Sequence, residues 1–342
     1  MMLGKTLRNR YKIIRQLGSG GFGETYLAED LGIPVPVKPH RVVKYLKPHV
    51  QDARTIQLFK REAEALYKLG KSHPQIPDLL EYFEEGGNFF VIQDYIDGRD
   101  LSYEIIDANP WTEEKVIHLL RDILEILAYV HGNHIIHRDI KPSNIIRHHQ
   151  TKQLFLIDFG AVKEVTTIHA VNQSATVVGT VGYMPEEQQA GQPVYASDIY
   201  AVGMIGVQAL TGINPNALPF NAATGEKDWY QFAQISADFL EVLKKMTYRD
   251  YTQRYQNAQE ALEAINNLKI IFSATDTQPQ VRPTVMLPLL SKTKIAIRSN
   301  YPKIRFFLVL IIFSVITILI VASPFLYRHN EPISQPKPER AF

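Results

Sequence analysis

The motif H-R-D-I-K-P-S-N at residues 137–144, followed by D-F-G at 158–160, constrains this chain more than any other feature. It brings carboxylates, a lysine and an asparagine into one short stretch. A carboxylate can orient an attacking hydroxyl and receive its proton, and a lysine can neutralise charge on a phosphate in transit. The spacing predicts that Asp139 and Lys141 take these two parts in a phosphoryl transfer.

The same two motifs supply oxygen ligands for a metal ion. Asn144 and Asp158 offer the amide and carboxylate oxygens that Mg²⁺ prefers. The order H-R-D-x-x-x-x-N and then D-F-G resembles the catalytic core of protein kinases. The resemblance implies ATP and Mg²⁺ as cofactors, with Mn²⁺ as an alternative ion.

A glycine-rich stretch near the N-terminus matches the pattern G-x-G-x-x-G. It comprises Gly18, Ser19, Gly20, Gly21, Phe22 and Gly23. The pattern alone fits a dinucleotide-binding fold equally well, but here it lies between two predicted strands instead of opening a helix. A hairpin of this kind lets backbone N–H groups approach nucleotide phosphates closely, with Phe22 over the site.

A lysine in an apolar strand and a carboxylate on the next helix complete the predicted phosphate site. Val42-Val43-Lys44 resembles the V-A-I-K strand of kinases, which makes Lys44 the candidate for the α- and β-phosphates. Glu62 shares a helix face with Phe59 and is the predicted partner. Glu64 is the alternative, displaced by about 200° around the helix.

The stretch from Phe89 to Gly98 resembles the last small-lobe strand and the hinge of a kinase. By position, the resemblance places Gln93 as the gatekeeper. The backbones of Asp94 and Ile96 would then pair with adenine.

The segment after D-F-G resembles the activation segment of a Ser/Thr kinase, with Thr180 contacting the catalytic aspartate. The closing A-P-E motif maps onto Pro185-Glu186-Glu187, so a glutamate replaces its central proline. We expect Glu187 to pair with Arg254, and Asp198 to support the catalytic loop. Arg138 suggests activation by phosphorylation, and the candidate acceptors in the segment are Thr166, Thr167, Ser174 and Thr176.

Periodicity predicts a small strand-rich lobe before a larger helical one. The resemblance, which covers residues 11–267, implies an α+β, two-lobed, protein-kinase-like fold for them. Strands are expected at 11–17, 24–28, 41–46, 79–84 and 88–94. Helices are expected at 55–69, 112–131, 196–211, around 229–232, at 237–246 and at 258–267. A nucleotide would bind between the lobes.

Charge is distributed unevenly along the chain. Residues 271–342 carry nine Lys and Arg against three Asp and Glu, and the remainder carries 28 against 32, a net −4. The folded part therefore lacks the positive field of a nucleic-acid binder, and no nucleic acid is expected as a partner. Cysteine is absent, which excludes disulfides and thiolate metal sites.

An uncharged run from Phe306 to Ala322 predicts one C-terminal transmembrane helix over residues 305–327. Its length corresponds to roughly 33 Å of helix, enough to cross a bilayer core, whereas a buried core helix would need surrounding protein that this region lacks. Basic residues before it predict a cytoplasmic kinase domain. Residues 268–304 would form a juxtamembrane linker, and 328–342 a short extracytoplasmic tail.

Together these patterns predict a single-pass protein of the cell membrane that phosphorylates Ser and Thr of proteins, including itself. The resemblance is closest to bacterial, eukaryotic-like Ser/Thr kinases of cyanobacterial type. The sequence is also compatible with two alternatives: a pseudokinase scaffold, which the presence of every catalytic residue opposes, and a small-molecule kinase, which the activation segment opposes. The sequence leaves a homodimer open.

Overall fold

The computed structural model describes residues 2–20, 23–48, 51–160, 163–164 and 180–268, all within one compact unit. A strand-rich small lobe comes first in the chain and a mainly helical large lobe follows. The two lobes are joined at Tyr95–Asp97, directly after the last small-lobe strand.

The small lobe is built on a six-stranded antiparallel sheet with one helix. The strands run in the order β1-β2-β3-β4-β6-β5. Their bounds are β1 Thr6–Leu7, β2 Tyr11–Ser19, β3 Gly23–Asp30, β4 His40–Leu46, β5 Leu79–Glu85 and β6 Asn88–Asp94, and α1 covers Ala53–Gly70 between β4 and β5.

Alternating side chains of the sheet enter two separate apolar clusters, as the period of two in a strand requires. Val91 packs with Leu66 of α1 in the larger cluster, whereas Phe90 and Ile92 point to the other side. There they meet Met2, which is 8% exposed, so residues before Tyr11 also cover the sheet. Helix α1 can therefore pack on one face while the N-terminus covers the other.

The large lobe packs helices around α4, which is buried along almost its whole length. Its helices are α2 Glu113–Gly132, α3 Glu186–Gln189, α4 Tyr195–Thr211, α5 Ala237–Thr247 and α6 Ala258–Asn266. Its short strands are β7 Gly98–Asp100, β8 Ile135–Ile136, β9 Ile145–His148, β10 Leu154–Leu156 and β11 Lys163–Glu164. Pairing of β9 with β10, and of β8 with β11, brackets the two motifs at residues 137–144 and 158–160.

The helix expected around residues 229–232 is wrong. Only a 3₁₀ turn forms, at Tyr230–Phe232. Upstream, Phe220 and Lys227 pair as antiparallel strands do, and the N–H of Asp228 donates to the carbonyl of Pro219 at 2.8 Å. These bonds fix the chain just before Trp229, which is buried in the core at 1% exposure, and a single 3₁₀ turn follows it.

No helix among the described residues combines the length and apolarity needed to cross a bilayer. The transmembrane helix predicted at 305–327, with its linker and tail, lies outside the described residues and stays a prediction.

Candidate active site

Lys44 lies at the centre of a charged group that joins three elements. Its ammonium contacts Oε1 of Glu62 from α1 and lies 3.0 Å from Oδ1 of Asp158. The partner from the helix is therefore Glu62 and not Glu64, which is exposed. Lys44 is 13% exposed and Glu62 is 5%, whereas 46% of the Asp158 side chain remains exposed.

Electrostatics within this group keep Asp158 ionised. The positive charge of Lys44 lowers the pKa of Asp158 to about 2, against the opposing effect of burial. Burial alone would lower the pKa of Lys44, but Asp158 and Glu62 together raise it above its usual range. An ammonium and an exposed carboxylate are thus present near neutral pH, one suited to phosphate oxygens and the other to a metal ion.

Asp139 is held in a triangle with a hydroxyl and an ammonium. The hydroxyl of Thr180 donates to Oδ1 of Asp139 at 2.8 Å. Lys141 donates to Oδ2 of Asp139 at 2.8 Å and to Oγ1 of Thr180 at 2.8 Å. Both carboxylate oxygens of Asp139 are therefore within hydrogen-bonding distance of donors, and one of those donors is an aliphatic alcohol.

Thr180 reaches Asp139 because the chain turns sharply after it. Gly182 has a φ of +95°, and a Cβ at that position would lie 2.8 Å from Oδ1 of Asn216. A side chain there would be strained in its backbone and crowded as well. Glycine thus allows the segment that carries Thr180 to fold back over the catalytic loop.

The side-chain amide of Asn144 is oriented by Asp139. Its amide nitrogen donates to the backbone carbonyl of Asp139 at 2.8 Å and to Oδ2 of Asp139 at 2.9 Å. Both hydrogen bonds use Nδ2, so neither of them occupies Oδ1, the side-chain oxygen that could bind a metal ion. The N–H of Ile157 donates to the carbonyl of Asn144 at 3.0 Å, so Asn144 and Asp158 lie on bonded neighbouring segments. This pair of oxygen donors fits a hard divalent cation.

Asp198 fixes the backbone just before Asp139. Its Oδ2 accepts the N–H of His137 at 2.8 Å, and its Oδ1 accepts the N–H of Arg138 at 2.8 Å. The ring of His131 lies 3.0 Å from Oδ2, through Nε2. The carboxylate that the sequence assigned to supporting the catalytic loop therefore does so through backbone donors.

His137 faces inward and carries no proton on Nδ1. Its Nδ1 accepts the N–H of Asp139 at 3.3 Å, and its Nε2 donates to the carbonyl of Ile157 at 3.2 Å. Burial lowers the pKa of His137, although three aspartates nearby act in the opposite direction. The neutral ring also meets Phe159 edge-on at 4.9 Å, which links the two motifs.

The glycine-rich stretch is described in part. Gly18 and Ser19 end β2, and Gly23 begins β3. A Cβ on Gly23 would lie 2.8 Å from the carbonyl of Tyr45, so only glycine fits this crossing. Gly20 accepts a hydrogen bond from Lys47 at 2.7 Å. The predicted contacts of Gly21 and Phe22 lie outside the described residues.

The hinge positions follow β6 as expected by resemblance. Asp94 is its last residue, and Ile96 lies two residues beyond it. Gln93 is buried, and its amide oxygen has no hydrogen-bond partner within the described part of the chain. The strand that ends at Asp94 pairs with the strand that carries Lys44, while adenine recognition by Asp94 and Ile96 stays a prediction.

The predicted pair of Glu187 and Arg254 forms behind the site. Two bonds join them, at 2.7 and 3.2 Å. The neighbouring Glu186, the departure from A-P-E, instead forms an exposed ion pair with Arg249 at 2.9 Å. Replacing the proline has therefore left the buried interaction intact.

Three contributors were not recognised from the sequence: His131 beneath Asp198, Lys47 beside Gly20, and Arg41 beside Asp94. Each contact joins residues far apart in the chain. Nothing in the local sequence pattern around these residues indicates any of the three contacts.

Comparison with known proteins agrees with this geometry. Residues 11–266 match the protein kinase domain family. Serine/threonine-protein kinase B of Synechocystis is 42% identical over 76% of this chain and 46% of that protein. Serine/threonine-protein kinase PknA of Nostoc is 41% identical over 76% of this chain and 47% of that protein. Serine/threonine-protein kinase PrkC of Bacillus subtilis is 29% identical over 80% and 42%, respectively.

The chain thus spans about half the length of the curated relatives it matches. Members of the matched family use ATP and a divalent metal ion, and proteins are their substrates. With the match covering most of the chain and the charged group in place, this chain belongs to the protein kinase family.

Proposed function

We propose that this chain transfers the γ-phosphoryl group of ATP to Ser and Thr hydroxyls of proteins, its own included. One observation carries the proposal. An alcohol, the Thr180 hydroxyl, donates to Asp139 at 2.8 Å while Lys141 bonds to both. A substrate hydroxyl in the same position would have its proton directed at a carboxylate and its oxygen beside a positive charge.

The remaining residues position the donor nucleotide. Lys44, held by Glu62, would contact the α- and β-phosphates, and the stretch from Gly18 to Gly23 would cover them. Asn144 and Asp158 would hold Mg²⁺, with Mn²⁺ as the alternative. When bound, the metal ion neutralises charge on the phosphates.

Asp139 orients the attacking hydroxyl and accepts its proton as the bond to phosphorus forms. The bond from phosphorus to the β-phosphate oxygen would break, and ADP would leave with that oxygen. Because the transition state for phosphoryl transfer is loose, these residues act mainly by positioning and by charge neutralisation.

Serine/threonine specificity is supported by Lys141 and by the relatives of this chain, which are serine/threonine-protein kinases. The pseudokinase alternative finds little support, because Lys44, Glu62 and Asp158 form one bonded group. A kinase for small molecules is disfavoured by Thr180, whose segment resembles a peptide-docking surface.

Autophosphorylation is proposed within the activation segment. Its four candidate acceptors lie outside the described residues, at 165–179. Arg138 beside the catalytic loop supplies the positive charge that would pair with a phosphate there. Phosphopeptide mapping of the active protein tests this proposal, and a fully active segment that carries no phosphate would contradict it.

We also propose a single-pass anchor in the cell membrane through residues 305–327, with a cytoplasmic kinase domain. The uncharged run and the basic residues before it support this proposal. Alkaline carbonate should leave the full chain in the membrane pellet, and a chain ending at residue 304 should be released. Release of both would refute the anchor. A homodimer is also proposed, and chemical cross-linking of the full chain in membranes tests it.

The decisive experiment measures phosphate transfer by the full chain from labelled ATP with Mg²⁺, to itself and to a generic basic protein. Asp139→Asn keeps the size of the side chain but removes the carboxylate. It should abolish labelling of Ser and Thr while nucleotide binding persists. Equal labelling by both proteins would refute the proposed role of Asp139, and tight binding without transfer by the unaltered chain would favour the scaffold.

A further inference from the structure

The start of β4 contacts the hinge through two consecutive side chains. Nη1 of Arg41 donates to Oδ1 of Asp94 at 3.2 Å. The ring of His40 meets the ring of Tyr95 edge-on, with centroids 5.7 Å apart. Arg41 also lies opposite Asp94 in the strand ladder, so backbone and side chain both link β4 to the residue that ends β6.

On its other side Arg41 faces a buried carboxylate of β3. Its Nε lies 3.6 Å from Oδ2 of Asp30, whose side chain is 0% exposed. Arg10 already binds both oxygens of Asp30, at 2.7 and 2.9 Å. Arg10 therefore compensates the buried carboxylate, and the hydrogen bond that Arg41 makes to another side chain goes to Asp94.

The orientation of Asp94 rests on few other contacts. Its N–H donates to the carbonyl of Asp78 at 3.1 Å, and its Oδ2 accepts the N–H of Asp78 at the longer distance of 3.4 Å. Both of these bonds come from one residue in the loop before β5. Among the described residues, Arg41 is the only charged partner of Asp94.

We propose that Arg41 is a positioning residue for base recognition: by holding Asp94 against the fixed Asp30, it sets the hinge backbone to receive adenine. This inference rests on the proposed function, in which the hinge backbone reads the base. Adenine presents an amino donor where guanine presents a carbonyl acceptor, so a displaced hinge loses discrimination between them. The phosphates contact other elements and should be little affected.

The test uses equilibrium binding of ADP and GDP to the full chain, which needs no phosphate transfer. Arg41→Met should weaken ADP about fivefold, the effect of one partly exposed charged pair, and GDP less than twofold. Asp94→Ala removes the oxygen that accepts from Arg41, and with it the long bond from Asp78, without approaching Asp30, and should do the same. The variant that carries both substitutions should bind ADP no more weakly than the single variant with the lower affinity for ADP.

In the transfer assay, Arg41→Met should raise KM for ATP and leave kcat within twofold, because ground state and transition state lose the same contact. Arg249→Met, which breaks an exposed ion pair in the other lobe, is the matched control and should leave the preference for ADP over GDP unchanged.

Three results overturn the inference. Unchanged ADP affinity in both single variants would show that Arg41 does not set the hinge. Equal weakening of ADP and GDP would show a general loss of structure. A loss of ADP affinity in Arg41→Met but not in the Asp94 variant would show that Arg41 acts through Asp30 and not through Asp94. An unaltered chain that binds ADP but transfers nothing would sink the proposed activity alone, since the binding comparison still holds.

Discussion

Replacing Glu187 by alanine should destabilise the large lobe strongly, because it strands a fully buried charge. Arg254 is 0% exposed, and Glu187 is 6%. The guanidinium also donates to the carbonyls of Tyr248 at 2.6 Å, Ala196 at 3.1 Å and Arg249 at 2.8 Å. With two bonds to Glu187, all five N–H groups are used, and Glu187→Ala leaves two of them unpaired.

The size of the loss follows from those two bonds. A hydrogen bond to a charged group contributes about 1.5–3 kcal/mol, so two of them suggest about 3–6 kcal/mol. Breaking one side of a buried ion pair costs about 3–5 kcal/mol, and the two ranges agree near 4 kcal/mol. For a domain of this size the melting temperature should fall by roughly 8–16 °C.

The chain offers its own control one residue earlier. Glu186 pairs with Arg249, but both side chains are more than half exposed, so Glu186→Ala should cost at most about 1 kcal/mol. Urea unfolding of the full chain can be followed by tryptophan fluorescence, because both tryptophans, Trp111 and Trp229, belong to the large-lobe core. Equal losses in the two variants would refute the argument, as would additive losses when Arg254→Met is combined with Glu187→Met.

Three further predictions concern other parts of the domain. Lys47→Met removes the bond to Gly20 and should raise KM for ATP about two- to threefold; an unchanged KM would show that the contact does not order the loop. The pKa of His137 is lower in the folded protein than its ordinary value of 6.5. Its neutral side chain therefore contributes fully to stability at pH values above 6.5. The free energy of unfolding should therefore decline as pH falls below 6.5, and His137→Leu should flatten that decline; an identical slope would contradict this assignment. Deleting residues 1–7 should lower the melting temperature by uncovering the aromatic face of the sheet, and an unaltered melting temperature would show that this cover is dispensable.

Local patterns were enough to predict most strands of the small lobe. The turn Glu85-Gly86-Gly87 becomes the end of β5 and its connection to β6, and both glycines have positive φ. An unbroken apolar run from Phe89 to Ile92, next to a turn, predicted β6, and three of its four side chains are buried. The motif residues Asp139 and Asn144 likewise meet through contacts only five residues apart.

Contacts across long sequence separations were not accessible in the same way. Arg41 and Asp94 are 53 residues apart, and nothing near Arg41 in the sequence shows that it meets a carboxylate. The residues around Trp229 have a composition compatible with a helix, but the buried indole and the pairing of Phe220 with Lys227 decide their conformation. Burial of Trp229 outweighs helix propensity, which differs between ordinary residues by only about a few tenths of a kcal/mol.

Backbone strain beside the reacting groups shows what the long-range contacts achieve. Arg138 has a φ of +71° and Asp158 a φ of +67°, in a region that costs a non-glycine residue about 1–3 kcal/mol. The N–H of Arg138 donates to Asp198 of α4. The carbonyl of Arg138 accepts a hydrogen bond from Nε2 of Gln188, in α3, at 2.6 Å. Asp158 is held by Lys44 from the other lobe. The contacts that fix Arg138 lie within the large lobe, whereas the contact that fixes Asp158 forms only when both lobes are folded. Loss of Asp198 should therefore reduce phosphate transfer by misplacing Asp139, although Asp198 itself contacts neither nucleotide nor substrate.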